Sequence, residues 1–396
     1  MPGYELYDQI ERKELMDVIE SGIFMRYGFD AARNGHWKSK EMEAALCQKL
    51  GVNHAHLLSS GTAALHTTLA ALGVGAGDEV IMPTFTFVAS FESVLQAGAT
   101  PVLVDIDETL CLDPKAVEAA ITPQTKVVMP VHMCGAMARL DELSAICKQH
   151  KLFLLEDACQ AFGGTYKGRH LGTIGDAGCF SFDFVKTITC AEGGAVVTNN
   201  PDIYARAHQF SDHGHDHIGH DRGAELHACM GVNYRISELH AAVGLGQLKK
   251  LDHFLQLQRR NHAILREALA SVPGLSFRHI PDPAGDTATF LSFFLPDENT
   301  TRKAAQALKA AGIDGVFYYY DNNWHYIRNW HHLKNASSMM PLSAPLAAFL
   351  EAAGQKSYPA SDAIMGREIS MAIKIGWTEE EVRERARKCV EVLGCV

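Results

Sequence analysis

From about residue 55, short apolar runs rich in β-branched residues alternate with longer stretches of helical period. The alternation predicts strands at 55–60 (AHLLSS), 79–83 (EVIMP), 100–106 (TPVLVDI), 125–131 (TKVVMPV) and 152–158 (LFLLEDA). Between them it predicts helices at 61–73, 87–98, 113–121 and 137–151. Strands apolar on both faces, separated by helices, indicate crossover units and a largely parallel sheet covered on both sides. The fold class is therefore α/β, with a three-layer α/β/α large domain. Residues 1–50 read as two helices, the second capped by Ser39 and stopped by Gly51.

After residue 200 the pattern changes. A polar loop at 212–227 (DHGHDHIGHDRGAELH) leads into one long helical stretch at 237–272, which bridges to a smaller α+β piece. That piece has strands near 276–280 and 289–295, helices at 300–312 and 378–394, and an aromatic, histidine-rich segment at 317–334. A chain of 396 residues is too long for one hydrophobic core. The predicted division is 1–250 for the large domain with its N-terminal helices and 251–396 for the small C-terminal domain.

Charge and composition narrow the partners. A formal net charge of -10 repels nucleic acid and anionic membranes, so neither is expected. No apolar run reaches the roughly 18 residues that span a bilayer, and the polar, acidic N-terminal stretch is no secretory signal. Ten cysteines without a CxxC pair read as reduced thiols of a cytoplasmic protein. Cys134, Cys159, Cys179 and Cys190 lie in apolar segments and are expected to be packing residues.

Four stretches carry candidate chemistry. Lys186 closes an apolar run, 178–186 (GCFSFDFVK), read as a strand, before a small-residue turn and a second strand at 195–198. A lysine amine held in apolar surroundings can attack a carbonyl; the competing reading is a snorkelling surface lysine. The sequence Ser59-Ser60-Gly61-Thr62-Ala63-Ala64-Leu65 joins a strand to a helix, where N–H groups and a hydroxyl can cradle phosphate or simply cap the helix. It lacks the ending of a Walker motif. Asp157 ends the strand LFLLEDA, at the edge where open α/β sheets bind ligands. A buried aspartate there can hold the N–H of a pyridinium ring or cap a helix. Asp105, Asp107 and Thr109 form a DxDxT pattern reminiscent of aspartyl phosphatases, but they read more simply as turn and cap residues. His213, His215, His217, His220 and His227, interspersed with Asp212, Asp216 and Asp221, lack helical spacing, so a solvated or site-covering loop is expected and no metal.

Taken in order and spacing, the motifs SSGTAAL, MPTFTFVAS, VLVDID and EDACQAFGGTYKGRHLGTIGDAGCFSF resemble the DegT/DnrJ/EryC1/StrS sugar aminotransferases, a branch of the fold-type I pyridoxal-phosphate enzymes. Lys186 followed by ITCAEGGAVVTN, and MGVNYRISELHAAVGLGQLKKL, continue the resemblance over roughly 38–275; REISMAIKIGWTEEEV is similar to the family's C-terminal ending. The resemblance implies pyridoxal 5'-phosphate, with Lys186 forming a Schiff base to its aldehyde and Asp157 pairing with the ring nitrogen. Gln160 would lie near the 3-oxygen, Phe87 would stack on the ring, and Gly61, Thr62 and Ser181 would hold the phosphate. Asn233 would reach the phosphate of a neighbouring subunit, which makes the expected assembly a homodimer.

A lysine at 186, where the family's dehydratases have histidine, implies amino transfer from a donor such as glutamate. The acceptor implied is the C8 aldehyde of a free eight-carbon acidic sugar, the alternative being a nucleotide-linked keto-sugar. A regulator that binds the cofactor without turnover is the remaining reading. His325, Tyr326 and His331 match the family's sugar-site segment, and Tyr319 joins them as a candidate substrate contact. The extra Tyr318, Tyr320, Asn322, Asn323 and Trp324 suggest an unusual polar-aromatic pocket. Candidate cations for an acidic substrate are Arg26, Arg33, His36, Lys38 and Arg328; Asp183 receives no role.

Overall fold

The computed structural model describes residues 3–219, 222–339 and 341–396. Its elements begin α1 (Gln9–Ser21), α2 (Lys38–Leu50), β1 (His54–Leu58), α3 (Gly61–Ala71), β2 (Glu79–Pro83), α4 (Val88–Gln96), β3 (Thr100–Val104) and α5 (Pro114–Ala120). Next come β4 (Thr125–Val128), α6 (Leu140–His150), β5 (Phe153–Asp157) and a small hairpin of β6 (Thr165–Tyr166) and β7 (Arg169–His170). β8 (Ala177–Ser181), β9 (Gly194–Thr198), α7 (Pro201–Phe210), α8 (Glu238–Leu248) and α9 (Leu251–Leu269) follow. The chain ends with β10 (Ser276–Phe277), β11 (Phe290–Phe294), α10 (Glu298–Ala310), β12 (Val316–Phe317), α11 (His331–Lys334), α12 (Ala344–Gln355), α13 (Pro359–Met365), β13 (Glu368–Ala372) and α14 (Glu379–Leu393).

Seven strands make the main sheet, in the order β1-β9-β8-β5-β4-β2-β3. β8, β5, β4, β2 and β3 pair in parallel, and β9 alone runs antiparallel, to both β8 and β1. Every residue of β8 and β9 is buried, as expected of strands covered on both faces. This is the mostly parallel α/β sheet that the sequence predicts. The parallel arrangement puts the carboxyl ends of β1, β2, β4, β5 and β8 on one edge, where ligands of such sheets bind. A second sheet, β10-β11-β13-β12, is antiparallel and packs with α9, α10 and α14 around Leu265, Leu291, Phe293, Ile369, Met371 and Val382. Among the described residues no helix is long and apolar enough to cross a membrane.

Three local expectations fail, each for a tertiary reason. Ser39 is not the cap of α2: Trp37 precedes the helix, and the Ser39 hydroxyl is buried in it, donating to Glu238 Oε1 at 2.5 Å. Gly51 does end α2, at φ 68° with its N–H on the Cys47 carbonyl. The stretch 237–272 is two helices, because the chain breaks at Lys249–Lys250, where Lys250 Nζ is held by the Leu6 carbonyl and Glu11, both at 2.5 Å. The strand read through Lys186 stops at Ser181, where its pairing with Gly194 ends. Residues 183–186 form a turn closed by the Lys186 N–H on the Asp183 carbonyl (3.0 Å), with Phe184 and Val185 turned out to the surface.

Candidate active site

A cavity of about 540 Å³ opens at the carboxyl edge of the main sheet. Its base is the head of α3. Ser60 Oγ accepts the Ala63 N–H at 3.0 Å and caps the helix, which leaves the Gly61 and Thr62 N–H groups without a partner among the described residues. Free N–H groups at a helix N-terminus attract an anion. The space is too tight for side chains: a Cβ on Gly61 would sit 2.7 Å from Ser181 Cβ, and one on Gly194 2.2 Å from the Ser60 carbonyl.

Asp157, at the end of β5, is 2% exposed and lines the same cavity. Its Oδ2 accepts from Ser90 Oγ at 2.7 Å and its Oδ1 from the Cys159 N–H at 3.1 Å, so the carboxylate is held from two sides. The strand alternation sends its neighbour Glu156 the other way. Glu156 is fully buried and accepts from His132 Nε2 (2.9 Å) and the N–H groups of Gly172 (2.8 Å), Ile174 (2.6 Å) and Gly175 (2.7 Å). Burial by itself would raise its pKa, but His132 and the loop N–H groups outweigh burial and hold it below the ordinary carboxylate value. Glu156 therefore ties the 172–175 loop beneath the strand that presents Asp157.

Gln160 reaches the cavity with its Oε1 on the Cys134 N–H at 3.1 Å. Cys134 adopts φ 55°, a left-handed conformation rare for a residue with a Cβ. Phe87 forms one wall, tilted against His325 (ring centroids 5.3 Å apart) and edge-on to Trp324 (6.0 Å). Residues 324–327 run beside 84–88, stitched by Thr86 N–H to the His325 carbonyl (2.9 Å), Val88 N–H to the Trp324 carbonyl (2.9 Å) and Ile327 N–H to the Thr84 carbonyl (3.2 Å). Lys186 also lines the cavity, its carbonyl accepting the Gly3 N–H at 3.1 Å. Burial, and next the positive charge of Lys186, bring the His325 imidazole down to about 4, so that ring is neutral at physiological pH. Burial first and the Asp157 charge second push the Cys159 thiol well up.

Of the predicted residues, Gly61, Thr62, Phe87, Asp157, Gln160, Ser181, Lys186, Tyr319 and His325 all line this one cavity. Tyr326 does not: it is 1% exposed, and its hydroxyl donates to Asp362 Oδ1 at 2.7 Å. His331 does not either; it is exposed at the start of α11. Asn233 is exposed and lies outside the cavity of its own chain. The candidate cations are committed elsewhere. Arg26 pairs with Glu43 at 2.6 Å, Arg33 with backbone carbonyls and Glu238, Lys38 with Glu14 and Asp17, His36 with Asp17, and Arg328 with the Tyr320 hydroxyl.

Cys159 lines the cavity and is half-buried, which corrects its reading as plain packing; Cys134, Cys179 and Cys190 are buried, and all ten cysteines are unpaired. Ser90, Phe290 and Phe317 also line the cavity without having been marked by the sequence. Ser90 falls inside the quoted MPTFTFVAS motif and Phe317 opens the aromatic segment 317–334, whereas Phe290 comes from a strand of the second sheet and carries no local signal. Asp183, which also lines the cavity, is a turn residue whose Oδ2 accepts the Val185 N–H.

The acidic and histidine motifs find structural partners. Asp105 caps Ser361, and Asp107 accepts the Thr109 N–H and pairs with Arg139 at 2.7 Å. In the 212–227 loop, Asp212 binds Arg222 and Arg235, His217 stacks on His208 at 3.8 Å, and His215 faces Glu225 at 3.0 Å. His220 and Asp221 lie outside the described residues. Among the described residues no three His, Cys, Asp or Glu side chains converge as a metal site.

An anion cradle, a buried carboxylate and a lysine amine around one cavity fit a phosphorylated aldehyde on a basic ring. A model of the DegT/DnrJ/EryC1/StrS aminotransferase family matches residues 10–388. The crystal structure of 3-amino-5-hydroxybenzoic acid synthase is similar at a TM-score of 0.83 and 29% identity, over 98% of this chain and 97% of that one. An aminotransferase from Psychrobacter cryohalolentis gives 0.83 and 26%, over 96% of each chain. DesV of S. venezuelae gives 0.80 and 29%, over 98% of this chain and 95% of its own. With a match across nearly its whole length and these residues gathered in one cavity, the chain belongs to the DegT/DnrJ/EryC1/StrS aminotransferases, pyridoxal-phosphate-dependent enzymes that aminate sugars.

Proposed function

We propose that this enzyme moves an amino group from glutamate to the C8 aldehyde of 8-oxo-3,8-dideoxy-manno-octulosonate, making the 8-amino sugar of a lipopolysaccharide. One observation carries the choice of a free sugar. Among the described residues, no arginine, and no lysine besides Lys186, lines the cavity. A nucleotide-linked sugar brings a diphosphate, which calls for paired cations. A single carboxylate carries less charge than a diphosphate and asks for fewer cations. A homodimer would also cover Val185 and Phe184 beside Lys186, and Leu226 and Met230 near Asn233, all of them exposed apolar side chains. Asn233 would then reach the phosphate of the facing subunit.

When bound, pyridoxal phosphate supplies an electron sink for the donor's α-carbon. The N–H groups of Gly61 and Thr62 and the Ser181 hydroxyl would hold its phosphate. Asp157, fixed by Ser90 and the Cys159 N–H, would keep the ring nitrogen protonated, with Phe87 against the ring and Gln160 at its 3-oxygen. The Lys186 amine, after yielding its place to the donor, would take the proton from the α-carbon and return it on the other side of the exchange. One site serving two half-reactions predicts ping-pong kinetics.

Purified protein with cofactor and glutamate should form 2-oxoglutarate and aminate the eight-carbon aldehyde acid. Amination of a 4-keto nucleotide sugar but not of that acid would overturn the substrate. Failure of every amino acid to shift the cofactor absorbance would leave a binding regulator instead.

A further inference from the structure

Trp324 stands apart from the other tryptophans. Trp330 is fully buried. Trp37 is covered by the cations of Arg33 (3.8 Å) and Lys40 (3.5 Å), and Trp377 by those of Arg385 (4.8 Å) and Lys374 (5.8 Å). Trp324 is 58% exposed and lines the cavity. Exposure of a large aromatic at a cavity mouth leaves apolar surface in water that a ligand can cover.

The backbone around it is fixed. The Val88 N–H binds its carbonyl at 2.9 Å, and its own N–H binds Asn322 Oδ1 at 2.8 Å. Asn322 Oδ1 also accepts the His325 N–H and meets His325 Nδ1, both at 3.1 Å, while Asn329 Nδ2 holds the Asn322 carbonyl at 3.3 Å. The free indole is thus carried on an anchored turn. Among the described residues its one ring contact is edge-on to Phe87, 6.0 Å away at 61°, so it stands one aromatic ring outward from the wall expected to lie on the cofactor.

We propose that Trp324 is a specificity-determining residue of the acceptor half-reaction, its indole receiving the C–H face of the sugar skeleton while the carbonyl end faces Lys186. The proposal rests on the aminotransferase reading. A sugar presents hydroxyls at its rim and C–H bonds on its faces, and an aromatic plane covers the latter without asking the former for partners. Asn322 and the neutral His325 lie alongside to meet the rim. A nucleobase offers the same flat apolar surface, so the two ligands must be told apart by experiment.

The test uses the holoenzyme, with Trp324→Ala and Trp324→Phe, and checks each variant's melting temperature against wild type. The Ala variant should raise KM for the acceptor about 5- to 50-fold with kcat changed less than about threefold, and the Phe variant should recover most of the loss. Titrating the sugar acid should quench wild-type tryptophan fluorescence, and the quench should vanish in Trp324→Ala. An unchanged acceptor KM, or a quench that survives in the Ala variant, overturns the proposal. Quenching by a nucleoside diphosphate alone, and not by the sugar acid, overturns it in favour of a base platform. If wild-type enzyme shows no absorbance shift with glutamate, the aminotransferase reading fails, while the fluorescence titration still decides whether a sugar meets Trp324.

Discussion

Replacing Glu156 by Gln tests whether the carboxylate edge of β5 is held from beneath. Each Glu156 oxygen accepts two donors: Oε2 takes His132 Nε2 and the Gly172 N–H, and Oε1 takes the Ile174 and Gly175 N–H groups. The His132 ring cannot reverse its role, because its Nδ1 already accepts the Ala138 N–H at 3.3 Å. A glutamine can keep two donors on its oxygen, but its NH₂ must face the other two. Each hydrogen bond to a charged acceptor is worth about 1.5–3 kcal/mol, so losing two removes about 3–6 kcal/mol. Relief of a buried charge returns part of this, leaving a net loss of about 3 kcal/mol.

Thermal unfolding of the Glu156→Gln protein at pH 7 should show that loss as a clearly lower melting temperature. The pH dependence has a definite sign. The folded carboxylate titrates below its ordinary value of 4.5, so its contribution is fully present above that pH and fades as pH falls through the folded value. The gap between wild type and variant should therefore close in acid. Equal stability at pH 7, or a gap that persists undiminished well below pH 4, would refute the reasoning.

The other outcomes are simpler to read. Lys186→Ala should lower 2-oxoglutarate formation from glutamate by about 10³-fold or more, since it removes both the anchor and the proton carrier. Gly61→Ala puts a methyl 2.7 Å from Ser181 Cβ, and overpacking of this kind should weaken cofactor binding about tenfold, measured by absorbance titration of the apoprotein. His325, held near 4 by burial and Lys186, should add no inflection to the activity profile between pH 5 and 8; an inflection near 6.5 that His325→Gln removes would contradict this. Mixed subunits of Lys186→Ala and Asn233→Ala should regain about a quarter of wild-type activity if Asn233 serves the facing site, by random pairing with one intact site in each hybrid. No recovery would place Asn233 in its own subunit.

Legibility followed how local the determining interactions are. EVIMP at 79–83 is a strand with the predicted bounds, because residues apolar on both sides of the pleat declare a doubly covered strand. The cradle at Gly61 and the carboxylate at Asp157 were equally readable, since each sits where a strand ends in this class of fold. Lys186 lines the cavity as expected, but it stands on a turn and not at the end of a strand. The partner register that ends β8 at Ser181 depends on Gly194, which no local pattern of 178–186 reveals.

The sequence by itself thus determined the fold class and the family, and it marked most of the residues that line the one cavity, because periodicity and motif spacing are properties of neighbouring positions. Tertiary structure alone decided which side chains are free to act. It committed Arg26, Arg33, Lys38 and Arg328 to partners within the chain and buried Tyr326 against Asp362. It brought Phe290 and Phe317 of the second sheet to the cavity and left Trp324 uncovered at its mouth. Burial and most of these pairings are set by residues distant in sequence, and a charge or a ring becomes available only where the packed chain gives it no other partner.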